Sequence, residues 1–201
     1  FNFDFAHYEM AGVIWVIGGC MILLAGLVKL PLAVLGTLGL VIIAGHNLTD
    51  PYLGKLIPVL SEGRLGGLWK ILYLGFFAGP IRFGTDGPSL IVLYSIVPWI
   101  GVMAAGYAFG TILTSEPARR RRLCLGIGLS AIALFLVLRG FNLYGDPSPW
   151  GRPQGAGDGR PAMPAPLAFL NPSKYPASLA FLLMTLGPTI ALIPILETAR
   201  G

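Results

Sequence analysis

A histidine and an aspartate four residues apart are the pair in this sequence best suited to acid–base chemistry. They lie in Gly45-His46-Asn47-Leu48-Thr49-Asp50-Pro51, directly after an apolar run. Histidine titrates near neutral pH, so His46 could act as a general base whose ring is oriented by the Asp50 carboxylate. The alternative is a helix-end cluster whose side chains hydrogen-bond backbone groups that are freed where a helix ends. The spacing alone leaves both interpretations open.

Two further polar stretches border apolar runs later in the chain. Asn142-Leu143-Tyr144-Gly145-Asp146-Pro147 is typical of a turn, because glycine accepts positive φ and proline closes a turn. Arg139, just before it, could pair with Asp146 or extend outward. In Asn171-Pro172-Ser173-Lys174-Tyr175-Pro176, the lysine beside an aromatic residue could bind an anionic ligand or anchor the chain at a membrane interface. Each stretch therefore has a structural and a ligand-binding interpretation.

The composition is that of a membrane protein. Apolar residues make up 55% of the 201 residues and charged residues only 11%, and the mean hydropathy is +0.75. Soluble domains carry roughly 25% charged residues, so a fold of this size needs lipid around it. The net charge of +5 does not indicate nucleic-acid binding. Four of the cations form one short cluster, and no basic face with stacking aromatics is evident.

Several kinds of site have no matching pattern. The sequence contains no GxSxG, Walker, HExxH or CxxC motif. Its two histidines and two cysteines are not accompanied by clustered carboxylates, so we expect no metal site. Cys20 and Cys124 both fall inside apolar runs, which predicts buried, unpaired thiols.

Five apolar runs are long enough, or nearly so, to cross a membrane as helices. They predict an all-α, polytopic transmembrane helix bundle with spans at 10–28, 30–45, 90–113, 123–138 and 177–196. A further apolar stretch, 68–83, is broken by charges, glycines and a proline, which favours an interfacial or re-entrant helix. Small residues inside the spans predict close helix packing; they are Gly101, Gly106, Gly110, Gly126 and Gly128.

A run of four arginines indicates how the chain is oriented. Arg119, Arg120, Arg121 and Arg122 lie between the third and fourth spans, in what we expect to be a very short loop. Cytoplasmic loops carry an excess of Lys and Arg, and short loops follow this rule best. The cluster therefore predicts a cytoplasmic loop. The two long polar stretches, 46–89 and 142–176, then lie on the opposite side.

Four stretches together resemble one family of membrane enzymes. They read IAGHNLTD (43–50), YSIVPWIGVMAAGYAFG (94–110), GFNLYGDPSPW (140–150) and LNPSKYPASLAFLLMTLGP (170–188). In this order they are similar to bacterial relatives of heparan-α-glucosaminide N-acetyltransferase, a family of polytopic integral-membrane acyltransferases. The Pro-Trp-Ile-Gly and Asn-Pro-Ser-Lys-Tyr-Pro segments are the most specific. The resemblance extends over nearly the whole chain and implies a single transmembrane acyltransferase-like domain, 1–201.

The resemblance implies transfer of an acetyl group from cytosolic acetyl-CoA to an amine or hydroxyl of a sugar across a bacterial inner membrane. Acetyl-CoA would be the co-substrate, with its phosphates near Arg119, Arg120, Arg121 and Arg122, and a glycan or glycolipid would be the acceptor. His46 and Asp50 are then candidates for the catalytic base and its partner. The substrate-binding candidates are Asn47, Asn142, Asn171, Lys174 and Tyr175.

The family's opening span, with an Ile-Asp-x-Leu-Arg-Gly-like motif, has no counterpart in these 201 residues. We therefore expect the chain to be an internal or C-terminal part of a longer protein that is inactive by itself. The family's catalytic groups belong to that upstream region, so His46 is a candidate on physical grounds alone.

A carbohydrate or lipid transporter or flippase is the main alternative. It predicts polar groups at mid-membrane, whereas the centres of the predicted spans carry no charge. A structural membrane subunit is a second alternative, and it predicts that His46, Asn171 and Lys174 tolerate alanine. We expect the lipid bilayer around the chain and no nucleic-acid partner, and homo-oligomerisation stays open.

Overall fold

The computed structural model describes residues 8–84, 87–151 and 163–199, and most of these residues are helical. The α-helices are α1 (Val13–Leu27), α2 (Leu32–Gly45), α3 (Leu53–Ser61), α4 (Gly66–Trp69), α5 (Ile96–Leu113), α6 (Pro117–Gly140), α7 (Ala165–Phe169) and α8 (Leu179–Thr198). Three short helical segments of other types are the 3-10 turns His46–Tyr52 and Gly75–Ala78 and the π-helical turn Lys70–Leu74.

Four helical segments are long and apolar enough to cross a membrane. They are Leu32–Ser61, Ile96–Leu113, Pro117–Gly140 and Leu179–Glu197. Many of their large apolar side chains face outward, with Val41, Leu129 and Leu196 between 58% and 62% exposed. Apolar surface on this scale needs a lipid surrounding. The predicted class, a polytopic and mostly helical membrane protein, is confirmed.

The first predicted span differs from the structure. Helix α1 has 15 residues, which at 1.5 Å per residue is roughly 22 Å and shorter than the hydrocarbon core of about 30 Å. Residues 8–11, at its start, form a β-strand instead of a helical turn. The apolar stretch after α3 is helical over Gly66–Ala78, as predicted, although it changes helix type twice.

The second predicted span is longer than expected. After α2 the chain stays helical through His46–Tyr52 and α3, so one segment of 30 residues replaces a span followed by a polar loop. Two prolines lie inside this segment. Pro51 is in the last turn before α3, where a missing N–H costs little, and Pro58 is inside α3. His46 is therefore inside a continuous helical segment.

A small sheet, which the sequence analysis missed, joins three short strands. They are β1 (Tyr8–Ala11), β2 (Ile81–Arg82) and β3 (Ser89–Val92), in the order β1-β3-β2. Strand β1 is parallel to β3, with Tyr8 opposite Ser89, and β2 is antiparallel to β3. The sequence predicts a membrane span at 90–113, and the first residues of that predicted span belong to β3. Short apolar runs cannot be assigned to helix or strand from periodicity alone.

The chain divides into two compact units, which we describe separately. The first unit contains the residues up to Ala108 together with Tyr175–Ala177. Its core includes Val16, Cys20, Ile96 and Ile100. Helices α2 and α5 touch through their backbones, because a Cβ at Gly39 would lie 2.5 Å from the Ala105 nitrogen.

The second unit contains Phe109–Lys174 and Ser178 onward, and its main contact is between α6 and α8. A Cβ at Gly128 would lie 2.6 Å from the Ala191 nitrogen, so only glycine fits this crossing.

Two of the five glycines predicted to pack closely do so. They are Gly128 and Gly101, where a Cβ would lie 2.7 Å from Ile42 Cγ2. Cβ atoms at Gly106, Gly110 and Gly126 would meet no described atom within 4 Å. Cys20 and Cys124 are buried free thiols, as predicted.

Candidate functional site

The imidazole of His46 is held between backbone carbonyl groups in the first unit. Its Nδ1 lies 3.1 Å from the Ile42 oxygen and 3.0 Å from the Ile43 oxygen, and its Nε2 lies 2.8 Å from the Ala177 oxygen. Only 8% of the residue is exposed. Carbonyl oxygens accept hydrogen bonds, so either ring nitrogen can contribute here only as an N–H donor. His46 can act as a base only after one of these contacts opens.

Asp50 is engaged by a neighbour other than His46. Asn47 is buried, and its Nδ2 donates to Asp50 Oδ2 at 2.7 Å. The sequence analysis expected Asp50 to orient the histidine ring, whereas the His46 ring nitrogens contact the three carbonyl groups above. Residues His46–Tyr52 form a 3-10 helical segment, in which Asn47 and Asp50, three residues apart, lie on the same side.

Tyr73 closes the turn that contains His46. Its hydroxyl donates to the His46 carbonyl oxygen and also contacts Thr49 Oγ1, whose hydroxyl donates to the same carbonyl at 3.2 Å. Burial raises the pKa of Tyr73, the Thr49 hydrogen bond lowers it and the Asp50 charge raises it. The phenol is therefore protonated at neutral pH and can donate. Its contact keeps the end of α2 attached to the π-helical turn.

An aromatic cluster lies beside Ala177, the residue that His46 holds. The Tyr94 ring packs edge-on against the Tyr175 ring, with their centroids 5.1 Å apart. It also packs against Trp99 in a tilted arrangement, with a centroid distance of 5.6 Å. The Tyr94 hydroxyl donates to Tyr175 Oη at 3.4 Å. We refer to Tyr94, Trp99 and Tyr175 as the aromatic cluster. Tyr175 lies two residues before Ala177 in the chain. The His46 hydrogen bond to Ala177 therefore also restrains the backbone that carries the Tyr175 ring.

Arg139 is the centre of the polar structure of the second unit. The residue is 1% exposed, although it carries a charge. Its Nη1 lies 2.6 Å from Asp146 Oδ2 in a buried ion pair. The remaining partners are the carbonyl oxygens of Ser148, Ala168, Phe169 and Asn171, at 2.8–3.3 Å. A guanidinium has five N–H groups, so every one has an acceptor. The alternative in which Arg139 pairs with Asp146 is confirmed.

Asp146 connects the turn after α6 to the segment that precedes α8. Its Oδ1 accepts from the Ser148 amide at 2.8 Å and its Oδ2 from the Ser173 amide at 3.1 Å. Burial raises the pKa of Asp146, while the Ser148 amide, Arg139 and the Ser173 amide act in the opposite direction. The ionised carboxylate thus depends on a full set of donors. The turn interpretation is also supported by Gly145, which has φ +84°.

Three of the predicted substrate-binding residues, Asn142, Asn171 and Lys174, belong to the second unit. Asn142 has φ +50°, and its amide makes a reciprocal pair with the Trp150 backbone at 3.1 and 3.2 Å. Asn171 and Lys174 are exposed. His46, Asn47, Asp50 and Tyr175 belong to the first unit and these three to the second. Their convergence on one pocket stays a prediction.

The four arginines lie in the first turns of α6, and the loop before it is 114–116. The expectation of a loop was wrong. Pro117 suits a first helical position, arginine is a good helix former, and the Glu116 carboxylate caps the Ala118 amide at 3.4 Å.

Arg120 differs from its three neighbours. It is half-buried, it forms a 2.9 Å ion pair with Glu197, and it donates to the Leu113 and Ser115 oxygens, both at 3.1 Å. Arg119, Arg121 and Arg122 are exposed. An open cleft of about 500 Å³ lies at this end of α6, lined by Pro117, Ala118, Arg120, Arg121, Pro194 and Glu197.

Sequence reasoning missed Tyr73, Tyr94 and Trp99. Trp99 had a usable signal, since Pro-Trp-Ile-Gly was among the most specific segments of the resemblance. Tyr73 lay in an apolar stretch where aromatic residues are common, so only the fold could reveal its contact with His46. Within the described part of the chain, no group of three or more His, Cys, Asp or Glu side chains is arranged to hold a metal ion.

Comparison with known proteins identifies one family. The model of the heparan-alpha-glucosaminide N-acetyltransferase catalytic family matches residues 6–142. This range contains the stretches 43–50 and 94–110 completely, enters 140–150 and ends before 170–188. No curated protein and no solved structure matches the chain.

Proposed function

Because the chain belongs to the heparan-alpha-glucosaminide N-acetyltransferase catalytic family, we propose that it moves an acetyl group from acetyl-CoA across a membrane to a sugar. The family and the long apolar helices identify an integral membrane acetyltransferase. The finer proposal is that the acceptor is an amine or hydroxyl of a glycan or glycolipid. In a bacterium this would be an envelope component at the inner membrane.

The family match over residues 6–142 carries this proposal. The candidate groups for the two ends of the proposed transfer lie in the matched range. One is the polar turn with His46, Asn47 and Asp50, and the other is the arginine cluster at the start of α6. A transporter of sugars or lipids would not require a donor site and remains the alternative that the experiment must separate.

The donor end is supported by charge and exposure. Arg119, Arg121 and Arg122 are exposed beside the cleft at the start of α6. The N-terminus of a helix is itself positive, so four cations there are unfavourable unless an anion is near. Coenzyme A has several phosphate groups that could supply the negative charge. Arg120 is occupied with Glu197 and carbonyl groups, and we assign it to holding the helix ends together.

The acceptor end is supported by the polar turn and the aromatic cluster of the first unit. Sugar sites combine apolar or aromatic walls with a few placed polar groups. Tyr175 and Tyr94 supply such walls with hydroxyl edges. Asn142, Asn171 and Lys174 stay candidates, with the amide of Asn142 already paired to the Trp150 backbone.

The proposed acetyl transfer requires a base that accepts the proton of the acceptor. The acceptor nitrogen or oxygen attacks the thioester carbonyl carbon, and the electron pair of the carbonyl bond moves to its oxygen. Collapse of this intermediate releases the coenzyme A thiolate, and the acceptor proton passes through a base to the released thiolate. His46 remains the candidate base, on the condition that the Ala177 contact opens.

We propose the sidedness that the positive-inside rule gives. The start of α6 is cytoplasmic, where acetyl-CoA is available, and the stretches 46–89 and 142–176 are on the far side. Incubating membranes that contain the complete protein with acetyl-labelled acetyl-CoA tests the activity. Label should appear in a sugar acetamide or acetate ester. Sugar or lipid flux without acetyl-CoA dependence would favour the transporter instead.

A further inference from the structure

Two buried hydrogen-bond donors, one in the aromatic cluster and one adjacent to it in sequence, have no partner among the described residues. They are the Ser95 hydroxyl and the indole N–H of Trp99. Ser95 is 0% exposed. Buried polar side-chain atoms nearly always have a hydrogen-bond partner, and an unsatisfied one in a native structure requires an explanation.

The two donors lie at the same end of one helix. Ser95 directly precedes Ile96, the first residue of α5, and Trp99 follows one turn later. The first amides of a helix have no intrahelical acceptor, and this end of the helix is positive. The hydroxyl, the indole N–H and the helix end are all donors or positive groups, and each favours an electron-rich partner near the start of α5.

Gly75 lies next to Ser95 in the fold. A Cβ at Gly75 would lie 3.6 Å from the Ser95 Cβ and 3.8 Å from its Oγ. Gly75 has φ +56°, a backbone conformation that residues other than glycine rarely adopt. The turn that lies against Ser95 therefore depends on glycine.

The chemistry of the two groups limits what they can bind. An indole N–H donates only, so its partner must be an acceptor and cannot be a cation. The Trp99 ring packs on Tyr94, which in turn packs on Tyr175, and aromatic surroundings suit an uncharged organic ligand better than a free ion. A carbonyl or hydroxyl oxygen of an organic substrate meets both conditions.

We propose that the Ser95 hydroxyl and the Trp99 indole N–H hydrogen-bond an oxygen of the substrate. This inference rests on the proposed acetyl transfer and names two residues that bind its substrate. The oxygen belongs either to the acetyl carbonyl, which gains negative charge during transfer, or to a hydroxyl of the acceptor sugar. Donors that face a developing oxyanion contribute most to turnover, whereas donors to a sugar hydroxyl contribute to binding.

The test uses Ser95→Ala and Trp99→Phe in the complete protein. Each change removes one donor and keeps an apolar side chain. Trp150→Phe is the matched control, because the Trp150 indole N–H is also buried without a partner among the described residues but belongs to the second unit. The probes are acetyl-CoA and glucosamine, and the readouts are kcat, both KM values and the Tm.

Both variants should lose about 10²-fold in kcat/KM, while Trp150→Phe keeps the wild-type kinetics. Ser95→Ala should keep or raise the Tm, since it removes an unsatisfied buried group. A lower kcat would show that the two donors bind the acetyl oxygen. A higher KM for glucosamine would show that they bind a hydroxyl of the acceptor. If both variants behave like Trp150→Phe, the inference is wrong and the acetyltransferase proposal stands.

An inactive wild-type protein would instead overturn the proposed function. The same variants then decide this inference by ligand-induced stabilisation. A rise in the wild-type Tm with acetyl-CoA or glucosamine that disappears in Ser95→Ala and Trp99→Phe supports binding by these donors. A Tm rise that the variants retain, or no rise in the wild-type protein, contradicts it.

Discussion

His46 Nε2 lies 2.8 Å from the carbonyl oxygen of Ala177, 131 positions further along the chain. This hydrogen bond attaches the middle of a long helical segment to the residues just before α8. Ala177 follows Tyr175, whose ring packs on Tyr94. The histidine therefore positions the aromatic cluster through the backbone, whether or not it also acts as a base.

Substitution of His46 separates these two roles. We expect His46→Ala to lower the acetyl-transfer rate and to cost about 1–3 kcal/mol of stability, because a buried carbonyl loses its donor. In His46→Gln the side-chain amide can still donate to Ala177 but cannot act as a base, so this variant should recover the Tm and stay about 10²-fold slower than the wild type. Turnover and Tm measured together check the result. Wild-type turnover in His46→Gln would show that the residue positions Ala177 and is not the base.

The Arg139–Asp146 pair should dominate the stability of the second unit. Arg139→Ala leaves a buried carboxylate and four carbonyl oxygens without their donor, so we expect a loss of about 3–5 kcal/mol. Arg139→Lys should also destabilise, because an ammonium cannot reproduce five planar donors. Thermal unfolding in detergent measures both. Arg122→Ala, at an exposed arginine of the same helix, is the control, and equal Tm values for all three would contradict the account.

The contact between α6 and α8 should not tolerate a methyl group at Gly128. The added Cβ would lie within 2.8 Å of three atoms of Ala191 and Gly187, so Gly128→Ala must push the helices apart at about 1–3 kcal/mol. Gly126→Ala is a matched control two residues away, since its Cβ would meet no described atom within 4 Å. The difference in Tm between the two variants gives the answer. Similar losses in both would mean that helix propensity and not packing decides.

The proposed donor site predicts different effects for neighbouring arginines. Arg121→Ala removes an exposed cation that lines the cleft, so the KM for acetyl-CoA should rise about 3–10-fold while the Tm is unchanged. Arg120→Ala should instead lower the Tm, because it breaks the Glu197 pair and frees two carbonyl groups. Arg64→Ala, at an exposed arginine outside the cluster, controls for general charge effects. An unchanged KM in Arg121→Ala would remove this residue from the donor site.

The sequence predicted those features that depend on local composition. Apolar runs located the long helices, and the Asn142-to-Pro147 pattern indicated a turn, because both follow from neighbouring residues. The sequence could not show that His46 faces Ala177 or that five acceptors surround Arg139, since these partners are set by the fold. Strand β3 was missed because its three consecutive apolar residues suit a helix equally well. The four arginines were predicted to form a loop from their charge alone, but arginine also has a high helix propensity, and they lie in α6.

The most direct test of the central claim is acetyl transfer across a sealed membrane. The complete protein is reconstituted into proteoliposomes, and its orientation is read from labelling of a single cysteine at position 119 after replacement of Cys20 and Cys124. Acetyl-labelled acetyl-CoA is supplied on the side of the labelled position 119 and glucosamine on the other side, and a protein that keeps Arg119 is assayed in parallel for activity. We predict that acetylated glucosamine accumulates on the glucosamine side while acetyl-CoA stays where it was added. Product that forms only when both substrates share one side, or no product at all, would contradict transmembrane acetyl transfer.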